Sequence, residues 1–237
     1  MFEGFSEQTR EFLWGLAFHN ERPWFQDHKE EFEQVLKRPF QALAEDTLAA
    51  FAPLAPDLDW KLHVSRIYRD ARRLFGRGPY KDHLWFSIKE DTALLQGVMF
   101  WFEVGAEDFR YGMGFYDATA DQMTRLRETV LANPGPLTRL AQAAAAQDRF
   151  TLIGPKYKRP KVQAGELLDD WLNRKYLGLS HQEEFGPALF DPGLPETLAQ
   201  GFLWLLPYYE FFKTYGAPDP TGSFQTKQHQ SKTEESV

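Results

Sequence analysis

The stretch VMFWFEVGAEDFRYGMGF, residues 98–115, decides the fold class because it has the pattern of two β-strands joined by a tight turn. If residues 105–108 form the turn, Val104 lies opposite Phe109, and every second pair further out lies on the same face. That face is entirely apolar, with the pairs Val104–Phe109, Phe102–Tyr111, Phe100–Met113 and Val98–Phe115. A shift of one residue would mix the two faces, so the sequence predicts an antiparallel hairpin in this register.

The other face of the hairpin carries a second regular pattern. It pairs Glu103 with Arg110, which have opposite charges, and sets Trp101 against Gly112. The glycines of GMG, residues 112–114, are thus explained by large side chains on the paired strand. A dinucleotide-binding loop would need a third glycine and a turn from strand to helix, so we expect no such loop here.

Strands continue upstream of the hairpin. The two-residue period begins near Leu62, and residues 84–116 have the pattern of a three-stranded antiparallel meander. With a strand over residues 62–68, the sheet is expected over about residues 62–116.

Helical periodicity flanks this sheet on both sides. In the first quarter of the chain, apolar residues recur every three or four positions after Ser6, a suitable N-cap, and again after Pro23 and Pro39. Thr119 and Gln122 have the spacing of a capping box at the start of a further helix. The helices expected after it cover about residues 137–146, 167–171 and 195–215. The fold class is therefore predicted as α+β, an antiparallel sheet packed with N-terminal and C-terminal helices.

Composition sets the domain organisation. Of the 237 residues, 43% are hydrophobic and 16% aromatic, which is too apolar for a disordered chain. We expect a single domain over residues 1–215 and a disordered polar tail over residues 216–237. The sequence has no run of about 18 apolar residues and no signal-peptide pattern at its start, so we expect a cytoplasmic protein without membrane contact.

Several classes of chemistry are excluded by residue type and spacing. The chain contains no cysteine, which removes disulfides, thiolate metal sites and thiol nucleophiles. The histidines show neither HxH nor HExxH spacing, and P-loop and GxSxG motifs are missing. We therefore expect neither a metal nor a cofactor. A net charge of −7 argues against indiscriminate binding to nucleic acid, because attraction to polyanions needs positive charge.

Residues 66–81, RIYRDARRLFGRGPYK, contrast with that overall charge. Residues 62–83 contain six Arg or Lys and two Asp, and six minus two gives +4 in an acidic protein. Guanidinium groups match the geometry of phosphate and carboxylate, so the segment predicts a site for a small anionic ligand. The expected contacts are Arg66, Arg69, Arg72 and Lys81, with Tyr80 as a hydrogen-bond donor and Asp70 as an orienting group or catalytic base.

A strand over residues 62–68 has geometric consequences for this segment. Arg66 would lie on the apolar face and be partly buried, and Arg69 would point to the opposite face if the strand reached it. The glycines and the proline before Tyr80 would turn the chain back toward the same region. Arg73 and Arg77 are expected on the surface.

The alternative interpretation of the basic segment is structural. Its arginines could pair with acidic residues of the N-terminal helices, and Asp70 could be a turn residue that neutralises Arg69. The acidic candidates are Glu30, Glu31, Glu33 and Asp46. The sequence leaves both interpretations open.

Three further features have two interpretations each. Residues 156–161, KYKRPK, are typical either of a phosphate-binding loop or of a solvated loop. His63 and His83 flank the basic segment as general acids or bases, or as ordinary strand histidines. Residues 20–25, NERPWF, form a helix–helix corner anchored by two aromatic rings, and its polar members could also line a cleft.

The motifs follow one another in a recognisable order. In chain order they are Phe12-Leu13, Asn20, Trp24-Phe25, residues 66–72 (RIYRDAR), residues 79–81 (PYK), Gly112-x-Gly114, Arg127, Pro155-x-Tyr157 and Lys175. This order resembles the bacterial domain of unknown function 2461 family over nearly the whole chain before the tail. Here Arg73 replaces the family's aromatic residue, and Gly76-Arg77-Gly78 replaces its acidic–lysine step before the proline. The resemblance implies a cytosolic bacterial α+β protein, implies no established activity, and marks the same basic residues.

Two functional hypotheses come from these observations. The first is a pocket for a small anion bearing phosphate or carboxylate, with phosphoester chemistry if the protein is an enzyme. The second is a non-catalytic domain that binds a protein or a nucleic acid through its basic face and keeps its arginines for structure. The sequence does not decide between enzyme and binding protein.

Overall fold

The computed structural model describes residues 1–70, 72, 78–90, 97–115 and 118–216. Its strands are β1 (Trp60–Val64), β2 (His83–Glu90), β3 (Val98–Gly105), β4 (Asp108–Phe115), β5 (Thr151–Ile153) and β6 (Gly178–Glu184). These described strands form one six-stranded antiparallel sheet in the order β1-β2-β3-β4-β6-β5. The predicted fold class is confirmed.

The predicted hairpin register is also confirmed. Val104 pairs with Phe109 at the turn, and Val98 pairs with Phe115 at the far end. Glu103 and Arg110 are register partners, although the Arg110 guanidinium donates a 2.8 Å hydrogen bond to Asp108. The alternation of apolar and other residues therefore determines which face of the hairpin is buried.

The helices lie before and after the meander. They are α1 (Glu7–Phe18), α2 (Arg22–Asp27), α3 (Lys29–Glu31), α4 (Arg38–Phe51), α5 (Ala120–Ala132), α6 (Gly135–Ala145), α7 (Glu166–Leu172), α8 (Pro187–Phe190) and α9 (Leu194–Gly216), with a π-helical segment, Phe32–Lys37, before α4. The Thr119 hydroxyl accepts from the Gln122 backbone N–H, and the Gln122 side chain accepts from the Thr119 N–H, so the predicted capping box begins α5. In the described ranges, no helix is long and apolar enough to cross a membrane.

Helices α4 and α9 cover one face of the sheet, and aromatic rings fill the space between the layers. Phe100 of β3 lies at the centre of this contact. Its ring centroid is 5.1 Å from that of Phe51 on α4, and 5.1 Å and 4.8 Å from those of Phe202 and Tyr209 on α9. Each such ring buries a large apolar area, so this face of the sheet holds the hydrophobic core.

The other face of the sheet is not covered in the same way. On β3, Met99, Trp101 and Glu103 are half-buried, whereas the residues between them are fully buried. We call this side the open face. The two cavities that His83 and Trp85 line both lie on this open face.

The structure differs from the sequence-based expectations at three places. β1 ends at Val64, four residues before the expected end of the strand. β6 was not expected, since GLSHQEE lacks apolar alternation, and it joins the sheet through backbone pairing with β4. α9 includes Gly216, the first residue of the tail expected over residues 216–237, and residues 217–237 lie outside the described residues, as do Arg73 and Arg77.

Candidate functional site

The basic segment continues the β1–β2 pairing as a narrow antiparallel ladder. The backbone N–H of Arg69 donates to the Pro79 carbonyl at 2.8 Å, and that of Lys81 donates to the Ile67 carbonyl at 2.7 Å. Between these bonds, Tyr68 pairs with Tyr80. The chain therefore returns Tyr80 and Lys81 to the side of residues 66–69, as expected.

A groove of about 660 Å³ opens on the ladder and on the adjoining ends of β1 and β2. We call it the basic groove, and it is lined by His63, Ser65, Arg66, Tyr68, Arg69, Asp70, Arg72, Lys81, His83 and Trp85. With the histidines neutral, four cations less one carboxylate give its lining a charge of +3. Five of the six residues predicted for the site thus converge on one concave surface.

Lys81 lies beside two other cations of this groove, Arg66 and Arg69. Its ammonium group donates to the Arg66 carbonyl at 2.6 Å and lies 5.8 Å from the centroid of the Trp85 ring. Burial, followed by the nearby charges of Arg69 and Arg66, lowers the pKa of Lys81. The positive charge around Lys81 is therefore not fully compensated, which is the condition under which a bound anion stabilises a protein.

Arg66 is exposed rather than partly buried, because β1 ends at Val64 and the strand alternation does not reach it. Among the residues described, no carboxylate forms an ion pair with its guanidinium. The expectation that Arg66 and Arg69 point to opposite faces required a strand that reaches residue 69, and β1 ends at Val64; both residues line the groove.

Arg69 holds the ladder together. Its side chain is only 12% exposed, and its Nε–H donates to the Tyr80 carbonyl at 2.6 Å. A second guanidinium nitrogen donates to Asp82 at 3.2 Å. Asp82, and not a helix carboxylate, is therefore the ion-pair partner of Arg69.

Asp70 and Arg72 form a local pair at the mouth of the groove. The carboxylate accepts from the Arg72 backbone N–H at 3.0 Å and from its guanidinium at 3.1 and 2.7 Å. Asp70 is thus a turn residue that neutralises Arg72. It could act as a base only after this pair opens.

Tyr80 lies outside the groove lining. Its buried ring stacks on Phe25 at a centroid distance of 4.2 Å, and burial raises the pKa of its hydroxyl. Asn20 donates to the Tyr80 carbonyl and accepts from its N–H, both at 2.9 Å. The corner at residues 20–25 therefore positions the ladder, and Tyr80 serves as its anchor rather than as a side-chain contact.

His83 forms a carboxylate–imidazole pair at the edge of the groove. Its Nδ1 is 2.9 Å from an Asp82 oxygen, and its Nε2 lies 3.9 Å from a Glu103 oxygen. Burial raises the pKa of Asp82, but the hydrogen bond to His83 and the charges of His83 and Arg69 outweigh it, so the pKa is lowered. Asp82 can thus orient the imidazole while Nε2 stays available for proton transfer.

Sequence reasoning missed Asp82, Ser65 and Trp85. Ser65 accepts from the Trp85 backbone N–H at 3.0 Å and joins the end of β1 to β2. The available signal was the two-residue spacing of His83 and Trp85, which places both on one face of β2.

Three of the four acidic residues proposed as structural partners have other partners. Glu33 pairs with Lys37 at 2.7 Å, Glu30 accepts from Gln34, and Asp46 accepts from the Phe2 backbone N–H. The described contacts of the basic segment are instead with carboxylates of its own neighbourhood.

The basic loop at residues 156–161 belongs to a different part of the molecule. Lys156 forms an ion pair with Asp170, and the Lys161 ammonium lies 4.9 Å from the Tyr157 ring centroid. The same region is held by buried Arg127, which donates to the Leu172 carbonyl at 2.8 Å. The loop contributes no described residue to the lining of the basic groove.

Two more hollows border the basic groove. A cavity of about 500 Å³ shares Arg66 and Tyr68 with the groove. We call it the apolar hollow because Phe25, Phe32 and Phe40 line it. A smaller hollow of about 270 Å³ shares His83 and Trp85 with the groove. Within the described ranges, no group of three or more His, Asp or Glu is arranged to hold a metal ion.

Comparison with protein families identifies the chain. The model of the family described as conserved hypothetical protein (DUF2461) matches residues 8–211. The chain belongs to this family. Curated proteins provide no match. The description of the family names no reaction.

Proposed function

We propose that the protein binds a small anionic ligand, bearing phosphate or carboxylate, in the basic groove. The observation that carries the proposal is the position of Lys81 in the groove beside Arg69 and Arg66, where burial and then the charges of these arginines lower its pKa. Repulsion between the Lys81 ammonium and the neighbouring arginines raises the free energy of the protein, and attraction to a bound anion would offset this increase.

The contacts divide the basic residues into two roles. Arg66 and Lys81 are the direct contacts, because neither is neutralised by a described carboxylate. Arg69 and Asn20 position them through the Tyr80 backbone. Arg72 contributes only if it releases Asp70, so we expect it to matter less.

A thermal-shift series tests this proposal. The wild type is heated with inorganic phosphate, ribose 5-phosphate or succinate, beside Arg66→Gln, Lys81→Gln and the control Lys158→Gln, which removes an exposed cation outside the groove. A ligand at one hundred times its Kd adds about 2.7 kcal/mol of stability. For a chain of this length, that raises Tm by roughly 5–10 °C.

We expect at least one anion to stabilise the wild type and Lys158→Gln, and to lose most of this effect in the two groove variants. Equal shifts in all four proteins would place the anion elsewhere. No shift with any anion would favour the alternative of a non-catalytic interaction domain with structural arginines.

Binding of an anion does not by itself make the protein an enzyme. If the ligand is a phosphoester, His83 is better placed than Asp70 to exchange a proton, since its Nε2 lies at the groove edge and Asp70 is held by Arg72. Incubation with p-nitrophenyl phosphate tests this step. Turnover that His83→Gln abolishes while phosphate binding remains would support an enzyme, and binding without turnover would indicate a binding protein.

A further inference from the structure

The smaller hollow on the open face is lined largely by aromatic and other apolar residues. They include Trp85, Met99 and Trp101, together with Ile153 and Tyr176. We call it the aromatic slot. Large apolar side chains thus surround a space of about 270 Å³ on a face that the helices do not cover.

Glycines create the floor of this slot. Trp101 pairs with Gly112 and Met99 pairs with Gly114 across β3 and β4, so no side chain rises opposite these two residues. A Cβ atom at Gly112 would collide with the Leu179 carbonyl of β6. The close approach of β4 and β6 therefore requires glycine, and a bare strip of backbone results.

Trp101 has few partners among the described residues. It is half-buried, yet across the part of the chain that the structure describes, its ring contacts no other ring and its indole N–H meets no acceptor. Tryptophans of the core, such as Trp60, have both kinds of partner. A half-exposed indole without partners is suited to stacking on a ligand.

The slot and the basic groove form one continuous surface. His83 and Trp85 line both, and the Lys81 ammonium lies 5.8 Å from the Trp85 centroid. Trp101 stands on the neighbouring strand, at a spacing of roughly 4.8 Å between strands. A ligand can thus place an anionic group at Lys81 and a ring against Trp101 without leaving the open face.

The rim of the slot provides polar groups of both signs. Glu103 and Arg110 stand opposite each other on β3 and β4, next to His83. Carboxylate acceptors and guanidinium donors are the groups that recognise the polar edge of a heterocyclic base. A simple benzene ring offers no polar edge to these groups, whereas a heterocyclic base does.

We propose that the ligand of this surface is a nucleoside phosphate, with its base in the aromatic slot and its phosphate in the basic groove. This inference rests on the proposed function, because it takes anion binding at Arg66 and Lys81 as given. It adds the class of ligand and the contribution of Trp101.

A mononucleotide fits these observations better than a nucleic acid strand. The slot is a single hollow of about 270 Å³, whereas strand-binding sheets present several stacking rings in a row. The net charge of −7 also opposes the approach of a long polyanion. We therefore expect binding to weaken, not strengthen, when the nucleotide becomes part of a chain.

Isothermal titration calorimetry of the full chain tests the inference. The ligands are AMP, GMP, ribose 5-phosphate, adenosine, an oligothymidylate of ten nucleotides, and octanoate. The variants are Trp101→Leu, which removes the aromatic face, Trp101→Phe, which retains one, and Trp14→Leu, a half-buried tryptophan on α1 as matched control.

We expect at least one nucleotide to bind roughly tenfold to a hundredfold more tightly than ribose 5-phosphate, which is the usual contribution of a stacked base. Trp101→Leu should remove this advantage without changing the affinity for ribose 5-phosphate. Trp101→Phe should restore most of it, and Trp14→Leu should behave as the wild type.

The outcomes separate the two proposals. If ribose 5-phosphate binds and neither nucleotide binds more tightly, the nucleoside inference is wrong while the proposed anion site stands. If no phosphate binds, both proposals fail. Tighter binding of oligothymidylate than of either nucleotide would identify a nucleic acid surface, and octanoate as the best ligand, unaffected by Trp101→Leu, would place the ligand in the apolar hollow. Either result would overturn the inference.

Discussion

Lys81 combines three local conditions that rarely occur together on a surface lysine. It is partly buried, it lies beside Arg66 and Arg69, and its ammonium donates to a backbone carbonyl. The first two lower its pKa, and the third keeps the side chain directed into the groove. The Lys81 ammonium is therefore held beside two like charges in the free protein. It also lies where the proposed anion would bind.

The lowered pKa of Lys81 predicts a specific pH dependence of anion binding. As the pH rises in alkaline solution, Lys81 loses its proton at a lower pH than an ordinary lysine would, and the affinity for a phosphate monoester should fall. The monoester itself is already dianionic at that pH, since its second pKa is about 6. Titrations between pH 7 and pH 10 should show this decline in the wild type and its absence in Lys81→Arg, because arginine stays charged.

The same shift affects the stability of the free protein. The unfolded chain holds the Lys81 proton more tightly than the folded chain, so this group makes stability rise with pH through the lowered pKa. A fall in affinity that persists in Lys81→Arg would show that another group controls binding.

Asn20 gives a second prediction at the residue scale. Asn20→Ala leaves the Tyr80 N–H without its side-chain partner and removes one of the two side-chain donors to the Tyr80 carbonyl, so the free energy of unfolding should fall by about 1–3 kcal/mol. Because Lys81 follows Tyr80, anion affinity should fall too. Urea unfolding and calorimetry measure both effects, with Asn133→Ala, an exposed asparagine, as control. Unchanged affinity in a destabilised Asn20→Ala would separate the corner from the groove.

At the scale of single elements, the sheet shows which parts of the fold can be predicted from sequence. The hairpin at residues 98–115 is predictable because each strand buries one face, and side-chain alternation records that burial. β6 is not predictable in this way, because it is held mainly by backbone pairing with β4. The last three residues of the strand, 182–184, are polar and exposed. Alternation is informative only where side chains determine the pairing.

Close contact between β4 and β6 predicts a strong effect of one methyl group. Gly112→Ala would bring Cβ against the Leu179 carbonyl and should cost about 2–4 kcal/mol of stability, since backbone cannot move aside easily. Gly105→Ala is the matched control, because its nearest neighbours would lie 3.8 Å away. Urea unfolding of both variants tests this contrast, and equal stability would contradict the described β4–β6 spacing.

The start of α5 provides an independent test at the same scale. Thr119→Ala removes the hydroxyl that accepts from Gln122 and should lower the free energy of unfolding by about 1 kcal/mol. Thr124→Ala, an exposed change in the middle of α5, should have little effect, because alanine favours helix. A larger loss at Thr124 than at Thr119 would show that the capping box does not limit helix stability.

For the molecule as a whole, charge is distributed unevenly. The chain carries −7, whereas the lining of the basic groove carries +3. A field of this form attracts small anions locally and repels long polyanions, so binding of a small phosphate should weaken only modestly as salt rises.

The sequence predicts which segment lines the basic groove, but not the role of each residue in it. The charge contrast of residues 66–81 singles out that segment, and five of the six residues predicted for the site line the groove. Sequence cannot show that β1 stops at Val64, which exposes Arg66, or that Tyr80 turns toward Phe25. These two features depend on where β1 ends and on tertiary contacts with α2, such as the contact of Phe25 with Tyr80.

The most direct test of the anion site is calorimetric titration of a phosphate monoester into two double variants. Arg66→Gln with Lys81→Gln removes both unneutralised cations of the groove, whereas Lys158→Gln with Lys175→Gln removes the same charge outside it. We predict that the first double variant loses at least tenfold in affinity, equivalent to about 1.4 kcal/mol, and that the second retains the wild-type Kd. Equal affinities in the two double variants would contradict a binding site in the basic groove.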